Sequence, residues 1–180
     1  MTTKKSSLVD QIQDRTATDS SDLVSAVNHN GDLVTANGSV ALLTTDIDAD
    51  DVIVLCFLPF SAVVQKIEIA NDDLDSNGSP TLTFDVGLYD DVDGETARDD
   101  DVYATVSTQF QAAAGFTDLA FEARDIAVNG QAVWADAGFA TLAAAKASNL
   151  SGQYLAIHID TVAATAAAGD IAFRVTYVDG

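Results

Sequence analysis

Residues 81 to 89 alternate without exception on their apolar side: Leu82, Phe84, Val86 and Leu88 interleave with Thr81, Thr83, Asp85, Gly87 and Tyr89. A period of two puts each set on its own face of an extended chain, so this stretch is a β-strand with one face in a core. Two more strands precede it. Val52, Ile53, Val54, Leu55, Cys56, Phe57 and Leu58 form an unbroken apolar run between Asp51 and Pro59. The run is too short for a typical helix and reads as a strand buried on both faces. After the proline, Val63, Ile67 and Ile69 fall on one side, with Lys66 and Glu68 on the other, which is a strand with one wet face.

The chain closes on two further strands. Leu155, Ile157 and Ile159 oppose Tyr154, Ala156 and His158; then Ile171, Phe173, Val175 and Tyr177 oppose Arg174 and Thr176, after a small-residue connection at 163–169. Leu119 to Ala123, Ile126 to Val128 and Ala132 to Ala135, the last carrying Trp134, read as short strands, with Asn129-Gly130 as a hairpin turn. Val102, Tyr103, Val106 and Phe110 recur at helical spacing before Gly115, and Phe139 to Ala147 is alanine-rich, so a short helix is expected at each. No β-α-β rhythm occurs. The expected fold is therefore mainly β, an antiparallel β-sandwich or jelly roll with one or two short helices and an extended N-terminal arm.

Two units are expected: an arm and short meander over residues 1–45, and a β-sandwich body over 46–180. The first twenty residues are polar, with Leu8, Val9 and Ile12 as their apolar anchors. Beyond them the pairs Leu23-Val24 and Leu33-Val34 are punctuated by Asn30-Gly31 and Asn37-Gly38, strong hairpin signals. These seven apolar residues are the expected assembly contacts, made with the body or with a neighbouring subunit. Asn37-Gly38-Ser39 also matches a glycosylation sequon, but no secretion signal follows Lys4 and Lys5, so the match is read as chance.

Charge narrows the function. The chain carries 28 acidic and 8 basic residues, a net −20, yet 48% of it is hydrophobic, so the acidity does not signal disorder. Clustered Lys and Arg are needed to displace counterions from phosphates, which argues against nucleic acid and against an anionic membrane surface as partners. No apolar run approaches membrane-spanning length. The single Cys56 excludes an internal disulfide and reads as a small buried hydrophobe.

Two acidic loops offer cation chemistry. Asp73, Asp75, Asn77 and Gly78 match the first half of an EF-hand loop, in which alternating oxygens face one cation; Phe84 stands where the closing bidentate acid would be. A weakly bound Ca²⁺ is the one cofactor these residues suggest, against the plainer reading of an Asx-rich hairpin tip. The second loop holds Asp90, Asp91, Asp93, Glu95, Asp99, Asp100 and Asp101, by default a solvated face. Catalytic constellations are missing: His29 and His158 have no metal-ligand spacing, and no nucleophile elbow, phosphate loop or dinucleotide fingerprint occurs.

Two stretches carry a resemblance. Residues 72–87, reading Asp-Asp-Leu-Asp-Ser-Asn-Gly-Ser-Pro-Thr-Leu-Thr-Phe-Asp-Val-Gly, and the connection from Ala163 to Gly169 running into Ile171 to Tyr177, resemble a family of small structural proteins of tailed bacteriophages. The resemblance spans residues from about 50 to 180. It implies a non-enzymatic decoration or cement protein, made in the host cytoplasm and seated on the outer capsid surface. Its partners would be the major capsid protein and other copies of itself, a trimer being favoured. The alternatives are a neck or tail adaptor, and a carbohydrate-binding module using Tyr89, Tyr103 and Trp134 as an aromatic platform.

Overall fold

The computed structural model describes residues 3–5, 33–120 and 130–179. Nine strands make up most of it: β1 (Thr3–Lys5), β2 (Leu33–Leu42), β3 (Val52–Pro59), β4 (Val63–Asn71), β5 (Thr83–Tyr89), β6 (Ala97–Ser107), β7 (Ala114–Asp118), β8 (Gly152–Thr161) and β9 (Gly169–Val178). They form two sheets, β1-β3-β8-β5-β6 and β2-β9-β4-β7. All pairs are antiparallel except β1 with β3. Two short helices, α1 (Val133–Asp136) and α2 (Leu142–Ala147), lie between β7 and β8.

The pairings nest. β2 pairs with β9, β3 with β8, β4 with β7 and β5 with β6, so the chain runs out along one leg of a two-stranded ribbon and returns along the other. Winding this ribbon adds the pairs β4 with β9 and β5 with β8, which close it into two stacked sheets. The apolar alternation supplies the contact between the layers. Phe84, Val86, Leu88, Leu155, Ile157 and Ile159 of one sheet share a buried cluster with Ile67, Ile69, Ile171, Phe173, Val175, Val40 and Leu42 of the other. Burying each of these large side chains contributes about 1.5–3 kcal/mol, and together they supply the main force joining the layers.

The run from Val52 to Leu58 is buried on both faces. A bulge between Val54 and Cys56 keeps Leu55 and Cys56 both in the main core, while Val52 and Val54 form a second buried cluster with Tyr89 and Ala156. Cys56 is inert there: burial pushes its thiol up to about 12.

Four expectations change. Asn37-Gly38 makes no hairpin turn; both residues lie inside β2, opposite Arg174 and Phe173. Residues from Val102 to Ser107 belong to strand β6 rather than to a helix, and only Gln109–Gln111 make a 3-10 turn. The β-branched Val and Thr side chains suit an extended chain, and Phe110 is buried against Phe84, ring centroids 3.9 Å apart. Gly115 does not stop a helix; it lies inside β7. Val133–Asp136 form a helical turn instead of a strand, anchored where the N–H groups of Val133 and Trp134 donate to the carbonyls of Ala62 and Phe60. The alanine-rich helix forms as α2, with Thr141 capping it by accepting from the Ala144 N–H at 3.1 Å. The strands expected over 121–128 lie outside the described residues.

Leu33 and Val34 begin β2, which is part of the body: its register with β9 runs unbroken from Leu33 opposite Val178 to Leu42 opposite Gly169. Leu8, Val9, Ile12, Leu23 and Val24 lie outside the described residues.

Candidate functional site

The two stretches that carry the resemblance meet in space, and Asp75 joins them. Its Oδ2 accepts from the backbone N–H of Thr81 at 2.7 Å, Leu82 at 3.1 Å and Ala164 at 2.9 Å. Its Oδ1 accepts from Thr165 at 2.9 Å and Asn77 at 3.4 Å. Around it the loops are laced together: Ser76 N–H donates to Thr165 O, Ala167 N–H to Leu74 O and Asn77 Nδ2 to Thr165 Oγ1. Burial alone would raise the Asp75 carboxyl; the N–H groups of Thr165, Thr81, Ala164 and Leu82 together hold it far below the usual carboxylate range.

Asp73 Oδ1 accepts from the Asp75 N–H at 3.2 Å, and Asn77 Oδ1 from the Ser79 N–H at 2.9 Å, each a local Asx turn. Asp73, Asp75 and Asn77 are therefore close in space, but their oxygens serve the chain's own N–H groups. This is the bonding of an Asx-rich turn.

The second acidic loop divides into two parts. Asp91 organises the β5–β6 turn, its carboxylate accepting from the N–H groups of Asp93 and Glu95 at 3.0 Å and Thr96 at 2.8 Å. Asp90 pairs with Arg98, whose guanidinium also lies 4.8 Å from the Phe139 ring centroid. Farther along β6, Asp99, Asp100 and Asp101 bring one carboxylate oxygen each within 4.8 Å of one another. Burial first and the neighbouring Asp101 second push the Asp99 carboxyl up to about 6. β6 bulges here, its pairing with β5 jumping from Asp99 opposite Leu88 to Ala104 opposite Val86. The bulge lays its backbone on Gly87, where an added Cβ would stand 2.2 Å from Asp99 O. Only glycine admits that approach.

His158 faces this region from β8. Its Nδ1 lies 3.8 Å from Asp85 Oδ2 and 3.8 Å from Asp100 Oδ2, and its Nε2 lies 3.8 Å from Asp50 Oδ1. Burial raises the Asp85 carboxyl although it accepts from the Val106 N–H at 2.7 Å. Val106 adopts φ of 51°, a left-handed conformation that a β-branched side chain avoids, and it is 55% exposed. That conformation is not legible in the sequence, where Val106 reads as part of a helical stripe.

The aromatic candidates do not form a platform. Tyr89 and Tyr103 are buried, Tyr103 donating to the Asp136 carboxylate at 3.0 Å, and Trp134 packs against the core.

No protein-family model matches the chain, and no curated protein matches it. Two solved structures share its fold. A chain of the capsid of Ralstonia phage GP4 is 23% identical with a TM-score of 0.66, the match covering 99% of this chain and 98% of that one. A chain of the cyanophage Pam1 capsid asymmetric unit is 24% identical with a TM-score of 0.54, over 92% of this chain and 99% of that one. Both matches run nearly end to end.

Proposed function

We propose that this chain is a non-enzymatic structural protein of a phage virion, serving as a decoration or cement protein on the outer surface of the capsid. The observation that carries this reading is the end-to-end likeness to chains of two phage capsids. Without β1, the orders β2-β9-β4-β7 and β3-β8-β5-β6 support the jelly-roll reading, an architecture used by viral capsid domains. The charge supports an outer position, since a chain at −20 is a poor lining for packaged DNA but keeps particles apart from one another.

The action is mechanical. Many copies each bury a modest area against the major capsid protein and against one another, with trimers favoured, and symmetry converts weak contacts into avidity. No nucleic acid or membrane enters this reading. The arm and meander expected over residues 1–45 are the part this reading assigns to contacts with neighbouring subunits.

The test is the copy number of the chain in purified particles, set against that of the major shell protein by quantitative mass spectrometry. One copy per shell subunit, or per few of them, is expected. A few copies per particle would move the protein to the neck or tail, and absence from particles would overturn the virion role.

A further inference from the structure

The two sheets end in four edge strands, and three of these are blunted. β1 has three residues. β6 bulges and bears Asp99, Asp100 and Asp101. β7 is short, ends in Asp118, and has a break in its register with β4. Short length, bulges and charges are the devices by which proteins keep sheet edges from pairing with other chains.

β2 has none of these devices. It is ten residues long, contains no charged residue and no proline, and follows β9 without a bulge. In a chain at −20, an uncharged stretch of this length lying on an edge is the place where a second acidic molecule can approach without carboxylates meeting. No strand lies on its outer side among the described residues.

The outward side chains specify what fits. Leu33, Thr35, Asn37, Ser39 and Ala41 are exposed along the solvent face of β2, and Leu43 follows it. Leu33 is 66% exposed and Leu43 59%, the two largest exposures among the big apolar side chains of the described residues, and they flank the strand at its two ends. We infer that the β2 edge pairs antiparallel with the β2 edge of a second copy of this chain, about a twofold axis at Gly38. That one register sets Leu33 against Leu43, Thr35 against Ala41 and Asn37 against Ser39 of the other copy. Each exposed leucine then covers its counterpart, the strand contact is self-complementary, and the two four-stranded sheets become one sheet of eight.

The contact is a property of the isolated protein and stands apart from shell binding. If trimers occupy a capsid, it is the link that ties one trimer to the next across a twofold.

Single-cysteine variants Asn37→Cys and Ser39→Cys test the register, since the native Cys56 is buried and silent. Directly opposed Cβ atoms lie about 4.5–5.5 Å apart and diagonal ones about 7–8 Å, so only the mixture of the two variants brings thiols near bonding distance. Under mild oxidation the mixture is expected to give the crosslinked dimer about fivefold faster than either variant alone. Thr35→Lys with Ala41→Lys sets ammonium against ammonium at two pairs, and sedimentation should show self-association weakened about tenfold. At a dilution where the wild type is monomeric the melting temperature should not change, because both side chains are exposed. A wild-type protein that stays monomeric at millimolar concentration and moderate salt would overturn the inference, as would equal crosslinking in the mixture and the single variants. A lower melting temperature of the lysine variant at a dilution where the wild type is itself monomeric would also overturn it, by showing that the edge is covered from within its own chain.

Discussion

Replacing Asp75 by asparagine tests whether one carboxylate holds the two loops together. The substitution keeps shape and removes charge. If the amide oxygen takes the Oδ2 position, the bonds from Thr81, Leu82 and Ala164 survive but become neutral, and the amide NH₂ confronts the Thr165 N–H that now lies 2.9 Å from Oδ1. A hydrogen bond to a charged group is worth about 1.5–3 kcal/mol and a neutral one about 0.5–1.5, so three weakened bonds lose roughly 3 kcal/mol. The stranded Thr165 donor adds about 1–3 kcal/mol. Because neighbouring bonds do not add fully, a net loss of about 4 kcal/mol is expected, and in a chain of this size each kcal/mol moves the melting temperature by about 2–4 °C. Calorimetry should therefore place Asp75→Asn about 8–16 °C below the wild type. Chelation with EDTA should leave the wild type unmoved. A variant melting within about 2 °C of the parent would refute the accounting; a wild type that EDTA lowers as far as the substitution does would return the loop to cation binding.

Two further outcomes follow from local geometry. Val106→Asn replaces a β-branched residue at positive φ by one that tolerates it, at an exposed site where little packing is lost, so a gain of about 1 kcal/mol is expected in urea denaturation. Stability should also peak in mild acid. The depressed Asp75 carboxyl contributes stability present above its unfolded value near 3.9 and lost as pH falls below it, whereas Asp99, raised to about 6, contributes stability that is lost as pH rises through that value. Melting temperatures recorded from pH 3 to 8 should show this dome, and Asp99→Asn should flatten its alkaline side; an unchanged alkaline slope would show that Asp99 is not its cause.

Strands β3, β4, β5, β8 and β9 are legible in the sequence because each keeps a simple period or an unbroken apolar run. β6 is not, because its bulge breaks the period: Tyr103 and Ala104 are buried in succession and Val106 points to solvent. Spaced that way, residues in a strand imitate a helix. The turn at Val133–Asp136 hides for a different reason, since its anchors are carbonyls of Phe60 and Ala62, far back in the chain. Asp75 looks like any other member of an acidic loop, and only the N–H groups of Ala164 and Thr165 single it out. Its loop and the 163–169 connection were both marked by resemblance, but nothing in either stretch told that they touch. The lack of charge in β2 is plain in the sequence; that the strand lies on an edge is not.

The nested ribbon sets an order on folding. β5 and β6 are joined by a short turn and can pair as soon as both have left the ribosome, but β2 must wait for β9, far behind it in the chain. Contacts so distant along the chain are slow to form, because a long loop must close before they repay its entropy. Until then β2 and β3 carry apolar residues with no sheet to enter. The chain thus passes through a stage in which β2 is bare on both sides, and the −20 charge of the rest works against contact between nascent copies until the ribbon closes.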